Sequence, residues 1–404
     1  MAKRVIVSQI GARHRYVIPR TLEKSGLLYR LYTDASTSSW LGRMASLLKG
    51  LHVQTKGVLR LCGRKIPVSR KKIYSSDVLF FKTYFNRWLR RNPIESKMMV
   101  YDGLSKKCIH WGVGEADCVY GMYFENFSFL KYAKSKGLKV VVDIYERPLT
   151  YKLLTEEIRS NEEYSVFQSS IPENERKHEV RMLYIEDLLA LADYYTIPSK
   201  KVIESLRGFS NFDERKVLYL PYASSIIPAS YKWKPQKHRV LFVGSDIVNK
   251  GVLYCAKAAT RLKEKYPDMD FRIVGLSRDD KTSLPVFDDL NFVGFLNKEQ
   301  LETEYCSAEV FVFPTLFEGF AGAVIEAASC GCPIITTDNA GTDTEEFPAI
   351  YIPEKNVDAI VDSVVKIFED SDYRDILSKR VFEYSKTFTP EEYENKLVKY
   401  LKSI

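Results

Sequence analysis

No apolar run in this chain approaches the roughly 18 to 20 residues that a membrane-spanning helix needs, and the first residues, MAKRVIVSQIG, pass directly into a strand pattern. The expectation is a protein with neither a secretory leader nor a spanning anchor, placed in the cytoplasm. Cysteine is sparse: the seven at Cys62, Cys108, Cys118, Cys255, Cys306, Cys330 and Cys332 are odd in number and never spaced CxxC. That pattern argues against a disulfide framework and a structural zinc site, and for reduced thiols in a core. Histidine is limited to five positions, and neither a short-period repeat nor a low-complexity tract occurs. Acidic residues are scarce in the first hundred positions, which hold 21 Lys and Arg against 4 Asp and Glu. That local balance of +17 exceeds the total of +8, so the remaining 304 residues carry about −9. The N-terminal quarter therefore faces something anionic, whether nucleic acid, a phosphorylated substrate or an acidic membrane surface.

What is present is globular. Apolar residues make up 45% of the 404 positions and charged residues 28%, and the length suits two domains of roughly 150 to 200 residues around a cleft. β-rich runs alternate with helical stretches: Val5-Ile6-Val7 before Gly11, then Leu27 to Tyr32, Asp117 to Gly121, Lys139 to Asp143, Tyr194 to Thr196 and Val217 to Leu220. This predicts a parallel sheet covered on both faces, with ligands beyond the carboxyl ends of its strands. Residues 1–227 form the first predicted domain, and the stretch 228–237 reads as a linker. The alternation then begins afresh over 238–385, at Val240 to Val243, Phe271 to Val274, Leu290 to Val293, Val310 to Phe313, Pro333 to Thr336 and Ala349 to Ile352. A last helix within 386–404 starts at Thr389-Pro390-Glu391-Glu392 and is expected to pack back across the first domain.

The segment richest in chemistry is Pro314-Thr315-Leu316-Phe317-Glu318-Gly319-Phe320-Ala321-Gly322-Ala323-Val324-Ile325-Glu326-Ala327. Its strand ends at Phe313, a loop with two glycines lets backbone N–H groups approach a ligand, and a helix starts near Ala321 with its positive end toward that ligand. Pyrophosphate suits that position. Glu318 then lies in the loop, and Glu326, just over a turn into the helix, can accept hydrogen bonds from vicinal hydroxyls such as those of ribose. On spacing alone, an ordinary strand-to-helix turn with two surface acids is an equal reading. A second loop, Gly244-Ser245-Asp246-Ile247-Val248-Asn249-Lys250-Gly251, also joins a strand to a helix and brings Lys250 within reach of the same phosphates.

Taken together, these loops resemble the C-terminal domain of family-4 retaining glycosyltransferases of the GT-B fold, over about residues 238–385 and in outline over the N-terminal half. The matching residues are Gly244, Lys250-Gly251, Pro314-Thr315, Glu318-Gly319-Phe320, Glu326 and Gly331-Cys332-Pro333-Ile334-Ile335. The resemblance implies two Rossmann-like domains facing each other and a nucleotide-sugar donor, UDP- or GDP-linked. It implies that Lys250 neutralises the donor phosphates, Glu318 holds the hydroxyls of the donor sugar and Glu326 binds the ribose, with Gly244, Ser245, Gly319, Phe320, Ala321 and Gly322 around the donor. No cofactor and no metal are expected. The acceptor class implied is a glycan, a lipid-linked sugar or an envelope component.

Two departures stand out. The arginine that usually follows the family's glycine is Ser245, and the strand Lys139 to Asp143 continues as Ile144-Tyr145-Glu146-Arg147, where the family delivers a histidine. Lys250 then acts alone on the phosphates or is helped by Asn249 or by a basic N-terminal residue. The loop after the first strand, Gly11-Ala12-Arg13-His14-Arg15, faces the cleft, so Gly11, Arg13 and His14 join Tyr145 and Glu146 as acceptor or cleft candidates, with an exposed polar loop as the other reading of His14. Asp268-Met269-Asp270 spells a metal-binding carboxylate pair, yet it joins a helix to a strand at the wrong end of the sheet. Cys330 and Cys332 read as small residues for helix-to-sheet packing.

Across residues 40–97, Trp40, Leu41, Met44, Leu47, Leu48, Leu51, Val58, Leu59 and Leu61 interleave with Arg43, Lys49, Lys56, Arg60, Arg64 and Lys65, and an aromatic, basic run follows from Phe80 to Arg91. Such a stretch suits docking on the anionic inner face of a membrane. Stacking on single-stranded nucleic acid and inward packing of an ordinary helix are the alternatives, and no nucleic-acid partner is expected. The function alternatives are a nucleotide-sugar epimerase of the same fold and a non-catalytic sugar-nucleotide or glycan binder.

Overall fold

The computed structural model describes residues 3–37, 39–51, 58, 61–88, 93–228, 230–279, 281–343 and 345–404. Seven strands form the first sheet: β1 (Val5–Ser8), β2 (Leu28–Thr33), β3 (Ile73–Ser75), β4 (Cys118–Met122), β5 (Lys139–Asp143), β6 (Tyr194–Ile197) and β7 (Val217–Tyr219). All pairings are parallel, in the order β3-β2-β1-β4-β5-β6-β7. Every residue of β1 and β4 is buried, which is why both read as unbroken apolar runs rather than as alternating ones.

The second sheet comprises β8 (Arg239–Val243), β9 (Asp270–Val274), β10 (Asn291–Gly294), β11 (Val310–Phe313), β12 (Ile334–Thr336) and β13 (Ile350–Tyr351), also parallel, in the order β10-β9-β8-β11-β12-β13. In each sheet the strand order reverses between two neighbours, β1 and β4 in the first, β8 and β11 in the second. Connections from those neighbours leave toward opposite sides, so a crevice opens at their carboxyl ends. The loops after β1, β8 and β11 start there.

Packing explains several of the smaller residues. The helix Gly322–Ser329 buries Ala327 and Ala328, and Cys330 and Cys332 beyond it are fully enclosed, so small side chains let the helix approach the sheet. Phe242, Phe311 and Phe313 stack beneath it, with centroids 5.6 to 5.7 Å apart. Within the predicted linker two residues are anchored: the Trp233 indole donates to the Ala308 carbonyl at 2.8 Å, and the Tyr231 and Ser378 hydroxyls are 2.7 Å apart.

The helix Pro390–Ser403 is capped by Thr389, whose hydroxyl accepts from the Glu392 N–H at 3.2 Å. It returns to the first sheet's domain, where Tyr393, Leu397 and Leu401 pack with Val5, Ile18 and Leu22. Burying each leucine contributes about 1.5–3 kcal/mol. Arg20 and Lys24 both donate to Glu394.

The basic region folds as the helix Trp40–Gly50, β3, the helix Asp77–Trp88 and the helix Pro93–Trp111. Its apolar residues divide between two faces. Ala45, Leu61 and Phe80 are buried and Leu41 and Val58 pack on them, while Trp40, Met44, Leu47, Leu48, Leu51, Val78, Phe81 and Phe85 are exposed. One expectation is corrected: Arg64 is not interfacial but buried, bound to Asp34 at 2.5 Å with its guanidinium over Phe80. Lys56, Leu59, Arg60 and the stretch 89–92 lie outside the described residues. Among the described residues no helix is long and apolar enough to cross a membrane.

Candidate active site

Two loops of the second domain are stitched into one unit. The Asn249 carbonyl accepts from the Leu316 N–H at 2.9 Å and the Thr315 hydroxyl at 3.0 Å, and the Asn249 N–H donates to Asp246 at 2.8 Å. Gly251 is obligatory here, because it has φ +71° and a Cβ would lie 2.2 Å from the Pro314 carbonyl oxygen. Lys250 is thereby set against the end of β11, where its ammonium forms an ion pair with Glu318. The Asn249 side chain donates to the same carboxylate at 3.4 Å. Burial lowers the Lys250 ammonium to about 8, with Asp246 and Glu146 pulling the other way. Contact with a carboxylate also opposes the shift.

Glu318 and Ala321 are held through their backbone N–H groups, which donate to the carbonyls of Asn339 at 3.1 Å and Ala340 at 2.8 Å. Ala321 then caps the helix Gly322–Ser329 without a side-chain hydrogen bond, so the N–H groups of its first turn are open to an anion. On this helix Glu326 accepts from the Ser225 hydroxyl at 2.5 Å and from the Tyr305 hydroxyl at 3.2 Å. Burial raises its pKa, while Ser225, Tyr305, Arg15 and Lys298 act against the rise.

The opposite wall belongs to the first domain. The Arg13 guanidinium donates to Glu125 and to the Tyr145 hydroxyl, both at 2.9 Å, and lies 3.9 Å over the Tyr145 ring. Its Nε is buried and has no hydrogen-bond partner among the described residues. Behind it burial pushes Asp143 up to about 6, and Arg13, Thr196 and Tyr222 oppose that shift. Glu146 accepts from Arg181 at 2.5 Å. Arg147 donates to Asn339 across the domain boundary at 2.8 Å.

A cleft of about 450 Å³ lies between these walls. Of the residues singled out from the sequence, Glu318, Gly319, Phe320, Gly322 and Glu326 line it from one side and Arg13, Tyr145 and Glu146 from the other. Lys250 adjoins through Glu318, and Ala321 is the buried cap between them. Gly244, Ser245 and Gly11 are not in the lining. Gly244 donates to Val274, and Gly11 donates to Asp34 beside Arg64. His14 belongs to the turn Arg13–Tyr16, and its side chain lies outside the described residues. Asp268 binds His238 at 2.8 Å, while Asp270 pairs with Arg239 and Arg272, so neither reaches the cleft.

Sequence reasoning missed Thr150, Tyr222 and Ser225 in the lining, as well as Tyr305. The run Tyr222 to Ser225 follows β7 directly, so the strand-end rule could have found it. Tyr305 carried no signal because its hydroxyl reaches Glu326 from a helix of another strand crossover.

Residues 237–370 match the family described as Glycosyl transferases group 1. The chain is 29% identical over 103 residues to the O-antigen chain mannosyltransferase B of Escherichia coli, covering 25% of this chain and 27% of that protein. It is 30% identical over 140 residues to an Escherichia coli UDP-Gal:alpha-D-GlcNAc-diphosphoundecaprenol alpha-1,3-galactosyltransferase, covering 32% of this chain and 36% of that one. The matched region thus spans only about a third of the curated relatives. Structural likeness is much broader: the sucrose-phosphate synthase of Thermosynechococcus elongatus aligns over 99% of this chain and 98% of its own, with a TM-score of 0.68 at 15% identity. The fold is therefore GT-B. Within it, residues 237–370 of the second domain are similar to the glycosyl transferases group 1 family.

Proposed function

We propose that this protein is a retaining, metal-independent glycosyltransferase that moves a hexosyl or related sugar from a UDP- or GDP-sugar to a glycan, lipid-linked or envelope acceptor. The observation that carries the reading is Glu326: a half-buried carboxylate, bonded to hydroxyls of both flanking elements, one turn above an uncapped helix start and beside the Lys250–Glu318 pair. A ribose diol can replace the Ser225 and Tyr305 hydroxyls on Glu326, and the diphosphate can take the helix start and the Lys250 ammonium. Release of Lys250 then frees Glu318 to accept from the donor sugar.

The chemistry needed is stabilisation of the leaving diphosphate and positioning of an acceptor hydroxyl, and both are electrostatic tasks. Ser245 supplies no cation to this cleft. Arg13, facing Glu318 from the other domain with an unpartnered Nε, is the second cation in this reading. The acceptor enters from the Tyr145 and Glu146 side.

We further propose that the enzyme works on the anionic cytoplasmic face of a membrane. Trp40, Met44, Leu47, Leu48 and Leu51 form an exposed apolar stripe edged by the exposed cations Arg43 and Lys49, as interfacial binding requires. A thermal-shift screen of nucleotides and nucleotide sugars tests the donor reading. A Tm rise specific to UDP, GDP or their sugars is expected by mass action, and no shift with any of them would contradict it.

A further inference from the structure

Beyond Tyr145 the catalytic cleft opens into a second hollow of about 300 Å³ and then a third of about 480 Å³. Tyr145 lines both the cleft and the second hollow. The second and third share Met98, Tyr101, Phe124 and Val180 as a common wall. They form one groove along the first domain, and its chemistry changes in order. Next to the cleft the lining carries Lys97, Lys177 and Arg181 against a single carboxylate, Glu173. Farther out it is mainly apolar, with Met98, Met99, Phe127, Val180, Tyr184 and Leu188, and with Glu95 and Asp102 at the rim.

The cations are placed rather than loose. Arg181 binds Glu146 through one nitrogen, stacks 4.3 Å over Tyr151, and leaves Nη1 buried with no hydrogen-bond partner among the described residues. Lys177 lies 5.0 Å over the same ring and binds Glu173 at 2.7 Å, and Lys97 lies 5.6 Å over Tyr101. Phe124, at the junction of the two hollows, has φ +62°. A bulky residue held in the left-handed region costs on the order of 1–3 kcal/mol and persists where the surrounding structure imposes it. Here it fixes an aromatic wall between the charged and the apolar halves.

We infer that this groove binds the acceptor, and that the acceptor is an amphiphile whose sugar is joined through phosphate to a long apolar chain. The sequence of environments matches such a molecule end to end: sugar hydroxyl at Tyr145 and Glu146, phosphate at Lys97, Lys177 and Arg181, and chain along Met98, Phe124, Val180 and Leu188. A free glycan would leave the apolar hollow unused, and a neutral lipid would leave Lys97 and the buried Arg181 Nη1 without an anion. The helix Pro93–Trp111 walls both hollows and packs on the helix Asp77–Trp88, whose Phe81 and Phe85 are exposed. This inference deepens the proposed function and rests on it for the direction of transfer.

The test is calorimetric titration of the full chain with geranyl diphosphate, inorganic pyrophosphate and geraniol, none of which carries a sugar or a nucleotide. Geranyl diphosphate should bind at least about ten-fold tighter than either of the others. Lys97→Gln with Arg181→Gln should erase the advantage over geraniol, and Val180→Trp the advantage over pyrophosphate, while Lys250→Ala should leave the affinity within about two-fold. Lys97 is exposed and Val180 half-buried, whereas the Arg181 side chain is largely enclosed, so circular dichroism checks each variant and Lys97→Gln alone should already reduce the advantage over geraniol. Equal affinity for pyrophosphate, indifference to the groove variants, or loss of binding in Lys250→Ala would each overturn the inference. Diphosphate binding at the donor loops depends on Lys250 and binding in the groove does not, so the same three titrations in Lys250→Ala separate failure of the donor reading from failure of this one.

Discussion

A Cβ added to Gly319 would lie 1.9 Å from the backbone carbonyl oxygen of Tyr145, so the loop Glu318 to Phe320 of one domain meets the segment after β5 of the other at van der Waals contact. No side chain fits without separating the domains. Gly319→Ala should therefore lower kcat/KM by about ten-fold or more, since misplacement of about 1 Å costs that much, while nucleotide affinity changes far less. Steady-state kinetics beside calorimetry separates the two effects, and unimpaired turnover would show that the loops need not close on one site.

Nucleotide affinity should depend on pH through Lys250. Its ammonium, lowered to about 8 by burial, is charged below that pH and neutral above it, and the anionic diphosphate binds the charged form. Affinity should be full below about 8 and fall as the pH rises through it, whereas Lys250→Arg, charged throughout, should remove that fall. For folding the sign is opposite. The unfolded chain holds this proton more tightly, so the empty site costs stability below about 8 and regains it as the pH rises toward the ordinary lysine value. Calorimetric titrations across this range give the affinity profile directly, and a flat one would remove Lys250 from the phosphates.

Glycosyl transfer should survive EDTA, because a lysine, a helix start and Arg13 are assigned the phosphate charge that a divalent ion carries elsewhere. The assay compares rates after exhaustive chelation and after adding back Mg²⁺ or Mn²⁺. Complete loss with full recovery on metal addition would refute the assignment.

Binding to anionic liposomes should be salt-sensitive and depend on the exposed stripe. Each cation near the surface is worth about 1 kcal/mol, so neutralising Arg43, Lys49 and Lys82 should weaken sedimentation with anionic vesicles by about ten-fold or more. Leu47→Glu with Leu51→Glu should release the protein even at low salt. Equal binding to neutral vesicles, or none to either kind, contradicts membrane docking. Tight salt-sensitive binding to single-stranded nucleic acid instead would favour the stacking alternative.

Both sheets were legible because their strands are buried on two faces and appear as uninterrupted Val, Ile and Phe runs such as Lys139 to Asp143 and Val310 to Phe313. β3 was not, since Ile73-Tyr74-Ser75 is a three-residue edge strand lodged between Lys72 and Asp77 in a segment whose charge dominates its pattern. The two loops after β8 and β11 were legible because the two Glu residues, the glycines and Lys250 follow strand ends at short range. Ser225, Tyr305 and Arg181 were not: each acts on a site carboxylate at a separation of 21 to 101 residues, which only the packed fold brings within hydrogen-bond reach. Arg64 shows the converse, a residue counted as surface charge until Asp34 and Phe80 enclosed it.

The central claim, that Glu326 and its neighbours hold a nucleotide sugar, is tested most directly by calorimetric titration of UDP, GDP and their sugars into the wild-type chain and into Glu326→Ala. The account predicts that one nucleotide series binds the wild type and that the substitution weakens it by about ten-fold or more, about 1.4 kcal/mol or above, with the melting temperature of the empty protein little changed. Identical affinity in both proteins would contradict it.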